Sequence, residues 1–121
     1  QLIRRGEEVF VWSRGEELIT DRFPEVATVG RLLADGTVLD GEILPWQGDR
    51  PLRFGDLQKR ITVKTVTKKI LTEVPAVLVA YDILEHQGRD VRPEPLSERR
   101  RLLADVVAET QRRELELAEG K

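Results

Sequence analysis

The sequence has 121 residues, of which 40% are hydrophobic and 35% are charged, and its formal net charge is -2. This composition fits one folded domain with a highly charged surface, and it argues against disorder and against a global attraction to nucleic acid. The absence of cysteine excludes disulfides and thiolate metal sites and is compatible with a cytoplasmic location. No apolar run approaches the roughly 18 residues of a membrane span, so no membrane partner is expected.

The first third of the chain predicts a hairpin followed by a helix. Two strand-like runs, QLIRR and EVFVWS, flank a turn at Gly6 and Glu7. Pro24 suits the first turn of a helix with apolar residues at helical spacing, and Gly36 suits its end. Gln1 already lies in strand-like sequence, so we expect the chain to be cut from a longer one.

The middle of the chain predicts strand, loop, two short helices and strand. VLDGEIL (38–44) reads as a strand, and PWQGDRP reads as a loop. LRFGDLQKRI predicts a helix capped near Gly55 or Asp56, and TVKTVTKKILTEVP predicts a second helix that Pro75 ends. AVLVAYDIL is a nearly continuous apolar run, which predicts a central strand covered on both faces.

The last third of the chain predicts a loop, a helix and a further strand. EHQGRDVRPEP reads as a loop, and Ser97 is the expected cap of the helix SERRRLLADVVAET. The tail RELELAEGK alternates apolar and charged residues, which indicates another strand. The whole order predicts an α+β fold with a mainly antiparallel sheet and packed helices.

Two acids lie inside the strand 38–44. Alternation places Asp40 and Glu42 on one face, about 7 Å apart, and Gly41 on the other, where a backbone or a ligand can approach closely. Two carboxylates so placed can hold a metal ion, a ribose hydroxyl or a basic side chain. A solvated strand face or an ordinary salt bridge explains the same pattern.

Two further positions carry candidate chemistry. Arg14 follows the end of a strand, where its guanidinium can reach a phosphate or a sugar, although a surface arginine in a turn fits equally. Tyr81, the only tyrosine, lies in an apolar strand. Its ring can stack on a base or serve as a core residue with a bonded hydroxyl. His86, the only histidine, has no evident partner and receives no role.

A basic cluster follows the loop after the acidic strand. It predicts either a patch that faces phosphates or an ordinary solvated surface. Its members are Lys59, Arg60, Lys64, Lys68 and Lys69.

Four segments in order resemble one family. SRGEELITDRFPEV, VLDGEIL, LQKR and VAYDILEHQGRDVRPEPLSERRRLL are similar to the nucleotidyltransferase, or adenylation, domain of ATP-dependent DNA ligases, as far as about residue 108. The resemblance implies that residues 1–121 are the central part of one adenylation domain, with the remainder of the ligase chain as partner. It also implies an enzyme that uses ATP and Mg²⁺, forms a lysyl-AMP, passes the AMP to nicked double-stranded DNA and seals the nick.

The resemblance also assigns roles to individual residues. Arg14 matches the arginine that contacts the ribose and nearby nucleic acid, and Tyr81 matches the aromatic that stacks on adenine. Glu42 matches the acid that holds the ribose hydroxyl and helps to organise the metal, while Asp40 orients its neighbours. DNA or phosphate contact is expected of three basic residues: Arg60, Lys68 and Lys69.

The family's nucleophilic lysine stands in a KxDGxR motif that these residues do not contain. Its EGxxxK motif and its lysine-rich strand are expected beyond residue 121. We therefore expect no catalytic residue here, no self-adenylation and at most weak ATP binding. The alternatives are an RNA ligase or capping-type guanylyltransferase, and a non-catalytic module that binds nucleic acid through its basic helices.

Overall fold

The structure is a computed structural model that describes residues 1–63 and 65–118, with side chains through residue 116. A short 3-10 turn, Thr20–Arg22, precedes the first helix. The other elements are, in chain order, β1 Leu2–Arg5, β2 Glu8–Val11, α1 Pro24–Arg31, β3 Val38–Gln47, β4 Arg50–Pro51, α2 Phe54–Thr62, α3 Lys68–Glu73, β5 Ala76–His86, β6 Arg89–Asp90 and α4 Leu96–Ala118.

The strands form one open antiparallel sheet in the order β2-β1-β3-β5-β6, with β4 paired to the end of β3. Its longest pairing joins β3 and β5, from Val38 opposite Glu85 to Pro45 opposite Ala76, with register shifts after Val38 and after Asp40. The α+β class with an antiparallel sheet is therefore confirmed. In the part of the chain that the structure describes, no helix has the length and apolarity to cross a bilayer.

The opening hairpin forms where the sequence predicts it. Arg5 pairs with Glu8, so Gly6 and Glu7 make a two-residue turn, and Gly6 has a φ of +58°. The Gly6 amide also donates to the Asp35 carboxylate at 2.7 Å, which ties the turn to the segment before β3.

Helix α1 begins at Pro24 as predicted but ends at Arg31, well before Gly36. Gly36 has a φ of +79°, and a Cβ there would lie 2.3 Å from the Gly88 backbone nitrogen. The absence of a side chain at Gly36 therefore allows the backbone of the α1–β3 connection to pack closely against the turn that joins β5 and β6.

Two predicted loops contain β-hairpins, so the loop prediction is wrong for PWQGDRP and for the first part of EHQGRDVRPEP, while residues 91–95 lie outside any helix or strand as predicted. PWQGDRP continues β3 to Gln47 and returns as β4 after Gly48, whose φ is +63°. EHQGRDV continues β5 to His86 and returns as β6 after Gly88, whose φ is +83°. The glycines that indicated loops instead lie in the two-residue turns of these hairpins.

The predicted strand in the tail is also wrong, because α4 continues through Ala118. Glu109 accepts hydrogen bonds from Arg112 and Arg113, one turn further on, and such pairs favour continued helix. Residues 119–121, the end of that predicted strand, lie outside the described residues. At the other end, α4 already includes Leu96 and Ser97, so it begins earlier than the predicted serine cap.

Both short central helices form, but α3 spans only Lys68–Glu73 and therefore begins well after the start of the predicted segment TVKTVTKKILTEVP. Helix α2 begins at Phe54, and the Asp56 carboxylate accepts the Arg53 backbone N–H at 3.2 Å. Helix α3 is capped by Thr67, whose hydroxyl accepts the Ile70 N–H at 3.3 Å.

Strand β5 is covered on one face only, which corrects the prediction of two covered faces. Leu78 and Ala80 pack on the core, whereas Val77, Val79 and Tyr81 are 37–46% exposed. Apolar composition alone did not reveal which face would remain open. The core itself combines residues from both halves of the chain: Leu2, Val11, Phe23, Val26, Leu33, Leu39, Leu57, Ala76, Ile83, Val91 and Leu103.

Candidate functional site

An open hollow of about 1070 Å³ lies beside strand β3. Side chains from the turn after β2, from β3, from β5 and from α2 line it. The structure brings Arg14, Glu42 and Tyr81 together in this single hollow, with Asp40 beside them. Its volume is at the upper end of the range for pockets that bind small molecules and cofactors.

Part of the β3 edge is open at this hollow. Strand β1 pairs with β3 only at Val38 and Leu39, and β4 pairs only at Trp46 and Gln47. Strand β5 occupies the opposite edge from Val38 to Pro45. Within the described residues, positions 40–44 therefore have a strand neighbour on one side only. Their backbone groups are available for hydrogen bonds on the side of the hollow.

Gly41 allows β3 and β5 to approach each other closely. A Cβ at this position would lie 2.5 Å from the Val79 carbonyl oxygen and 2.9 Å from the Ala80 Cα. Because both atoms belong to the backbone, a side chain could fit only if the sheet shifted. The mid-strand glycine thus admits a neighbouring strand.

We expect Gly41→Ala to lower the free energy of unfolding by about 1–3 kcal/mol, the usual cost of overpacking. Urea denaturation followed by circular dichroism measures the change. Gly55→Ala is the matched control, because a Cβ there meets nothing within 4 Å. A helical Ala in place of Gly is expected to be neutral or slightly stabilising. Equal stability of both variants would contradict the close approach.

A β-bulge places Tyr81 at the hollow. Asp40 is opposite Asp82 and Gly41 is opposite Ala80, so Tyr81 is an extra residue with no partner on β3. Bulges commonly redirect a side chain next to a binding site. The Tyr81 side chain is 38% exposed, and its ring therefore has a surface available for stacking.

The hollow combines positive and negative charge. A hydrogen bond with the Tyr81 hydroxyl, reinforced by the nearby Glu42 and Asp40 carboxylates, raises the pKa of Arg14 above its ordinary value. Arg14 is therefore a cation at any physiological pH. A polar ligand here would meet a guanidinium, two carboxylates and a phenol.

Sequence reasoning missed two aromatic residues of the hollow. Trp12 is 38% exposed and Phe54, the first residue of α2, is 68% exposed, and both line the hollow. The alternation that places Trp12 on the same strand face as Arg14 was a usable signal. Phe54 had no such signal, because its position depends on how α2 packs beside β3.

The carboxylates of Glu42 and Asp40 are the residues that could hold a divalent metal here. Among residues 1–63 and 65–118, no group of three or more His, Cys, Asp or Glu side chains has a metal-binding arrangement. Mg²⁺ is usually held by one or two carboxylates together with substrate phosphates and water. The donor set therefore fits Mg²⁺ that enters together with a nucleotide.

Arg60 does not face the hollow or the solvent, which corrects the prediction of phosphate contact. Its side chain is completely buried, and its guanidinium donates to both Glu25 oxygens at 2.7 and 2.8 Å. It also donates to the Val74 carbonyl at 2.8 Å and lies 4.8 Å from the centre of the Phe23 ring. The same guanidinium chemistry that suits a phosphate is used here for a buried ion pair.

The lysines of the basic cluster lie on the surface. Lys68 and Lys69 are exposed at the start of α3 and do not line the hollow. Lys69 lies 3.9 Å from Glu73, and Lys59 lies 3.7 Å from Asp56, so both have acidic neighbours. Lys64 lies outside the described residues. The structure therefore separates Lys59, Lys68 and Lys69 from the residues of the hollow.

Comparison with known proteins identifies relatives over nearly the whole chain. The family model described as "ATP dependent DNA ligase domain" matches residues 1–120. A "Probable DNA ligase" of Koribacter versatilis is 37% identical over 85% of this chain and 18% of its own length. Proteins of the same name from Opitutus terrae and Streptomyces avermitilis are 39% and 34% identical, over 88% and 99% of this chain.

The chain spans 11–24% of the length of these three relatives. The family match nevertheless covers almost every residue that forms the sheet and the hollow. On this evidence, the chain belongs to the ATP-dependent DNA ligase domain family.

Proposed function

We propose that residues 1–121 are the central part of the adenylation domain of an ATP-dependent DNA ligase, and that the hollow binds ATP. The observation that carries the proposal is that Arg14, Glu42 and Tyr81 share one hollow although they come from three separate segments. The exposed ring of Tyr81 would stack on adenine. Arg14 would donate to the ribose, and Glu42 would accept a hydrogen bond from a ribose hydroxyl.

Mg²⁺ would enter with the nucleotide and be held by Glu42, with Asp40 beside it. When bound, Mg²⁺ would neutralise charge on the phosphates. The two carboxylates orient the polar side of the ligand, while Trp12 and Phe54 provide apolar surface around it. Arg14 keeps its positive charge next to both carboxylates, which limits repulsion between the site and a polyanionic ligand.

The complete ligase would act on nicked double-stranded DNA. A lysine from the remainder of the chain would bond to AMP and release pyrophosphate, and the AMP would pass to the 5′-phosphate of the nick. The 3′-hydroxyl would then displace it. Because catalysis of phosphoryl transfer depends on positioning and electrostatics, this chain would contribute the adenosine and metal contacts and be inactive alone. Surface Lys68 and Lys69 would contact DNA phosphates.

Two measurements test this proposal. Isothermal titration of the chain with ATP and Mg²⁺ should detect weak binding, and GTP should bind less tightly. Joined to the remainder of its protein, the chain should become labelled with radioactive AMP and should seal nicked DNA. Preference for GTP or for RNA ends would favour a capping-type guanylyltransferase or an RNA ligase. Absence of any label would contradict adenylation altogether.

Glu42→Gln is expected to weaken Mg²⁺-dependent ATP binding about tenfold, because it removes the charge from one acceptor that bonds ribose and metal. The same titration with and without Mg²⁺ measures the change. Glu73→Gln, on the surface of α3, is the control and should bind as the unmodified chain does. An equal effect of both variants would mean that general charge, and not this site, governs binding.

The dependence of binding on the nucleotide separates a simple nucleic-acid module from the proposed enzyme. A module predicts DNA affinity that falls steeply with salt, that depends on Lys68 and Lys69, and that ATP does not affect. If Tyr81 and Glu42 govern nucleotide binding while these lysines have no effect on it, the module is excluded.

A further inference from the structure

One ion pair shielded from solvent lies directly next to the Tyr81 bulge. The Asp82 Oδ2 is 2.7 Å from the Arg99 Nη1, and each side chain is only 19% exposed. In contrast, the Arg101 and Glu98 side chains, another ion pair of α4, are 72% and 49% exposed. A shielded pair is weakened less by salt and by competing water than an exposed one.

The Asp82 carboxylate is fixed on both sides. Its Oδ1 accepts the backbone N–H of Ile83 at 2.8 Å, and Ile83 is completely buried in the core. Its Oδ2 accepts the hydrogen bond from Arg99 of α4. The side chain of the residue that follows the bulge is therefore held at one oxygen by the backbone of its buried neighbour Ile83 and at the other oxygen by Arg99 of α4.

The position of the Arg99 guanidinium is restricted by this contact. Its Nε is buried and has no hydrogen-bond partner among the described residues. A buried N–H without a partner is unfavourable, so the guanidinium is kept in this place by the Asp82 bond and by packing. Nothing in the proposed ATP site uses this pair.

We propose that Asp82 and Arg99 are positioning residues, which hold the β5 bulge so that the Tyr81 ring faces the hollow. Tyr81 has no partner on β3, so its direction depends on the residues that flank it. Asp82 is the next residue along, and α4 anchors it. This inference rests on the proposed function only where it concerns ATP; the placement of the ring can be tested without any ligand.

The experiment uses the single tyrosine of the chain. Incorporation of 3-fluorotyrosine gives one ¹⁹F resonance, which reports the surroundings of Tyr81. Arg99→Gln and Asp82→Asn are expected to shift or broaden this resonance, whereas Arg101→Gln, two residues away on the same helix, should leave it unchanged. Titration of the same samples with ATP and Mg²⁺ should show at least threefold weaker binding for the first two variants.

The outcomes separate the two proposals. An unchanged resonance in folded Arg99→Gln would overturn the positioning role. If Arg99→Gln does not fold, the Asp82→Asn variant is the test, because Asn keeps the acceptor for the Ile83 N–H. An unchanged resonance in Asp82→Asn would also overturn the positioning role. Failure of both variants to fold would overturn it as well. If ATP does not affect the unmodified chain's resonance, the proposed ATP site fails, and the ligand-free spectra alone decide the positioning role.

Discussion

Arg60→Met is expected to lower the free energy of unfolding by about 3 kcal/mol, measured by urea denaturation. The substitution removes one partner of a buried ion pair, which typically costs about 3–5 kcal/mol. Glu25 is 29% exposed, so water partly compensates it and the lower value applies. The Val74 carbonyl also loses its bond to the guanidinium.

A matched control separates this effect from a general loss of charge. Arg112→Met removes exposed pairs with Glu109 and Glu116 on α4 and should leave the free energy of unfolding nearly unchanged. If Arg60→Met kept full stability but reduced DNA affinity, the phosphate contact expected from the sequence would be correct after all.

A double variant examines why the pair is present. Arg60→Met with Glu25→Leu should recover part of the loss, because no buried charge remains unpaired. Recovery should be incomplete, since Glu25 also accepts the backbone N–H of Ala76 at 3.3 Å at the start of β5. The pair thus connects α1, α2 and β5, of which α2 and β5 contribute residues to the hollow.

Tyr81→Ala is expected to weaken ATP binding roughly fivefold to a hundredfold, which corresponds to the loss of about 1–3 kcal/mol of base stacking. Isothermal titration or the change of ligand fluorescence with a fluorescent ATP analogue measures it. Tyr81→Phe keeps the ring and removes only the hydroxyl, so its loss of affinity should be much smaller.

Val79→Ala is the matched control for position. Val79 is 46% exposed two residues earlier on β5 and does not line the hollow. Its substitution should leave the affinity for ATP unchanged. If Tyr81→Ala bound ATP as tightly as Val79→Ala, the ring would not be a stacking surface, and the proposed role of the hollow would lose its main support.

The amino-acid sequence alone was sufficient to predict several features of the structure. Pro24 marked the start of α1, and Gly6 with Glu7 marked a hairpin turn, because both depend on local backbone preferences. Alternation along β3 placed Asp40 and Glu42 on one face, and both line the hollow. The binding roles of Arg14, Glu42 and Tyr81 remain predictions that the experiments above address.

Other features were decided only by tertiary structure, because they depend on residues far away in the chain. Arg60 became a buried residue since Glu25, 35 positions earlier, is brought beside it. The bulge at Tyr81 exists because β5 has one more residue than β3 between paired positions, which neither strand reveals alone. Local preference determines where an element begins and turns; the packing of distant elements decides which face is buried, which charges pair and which side chains share a site.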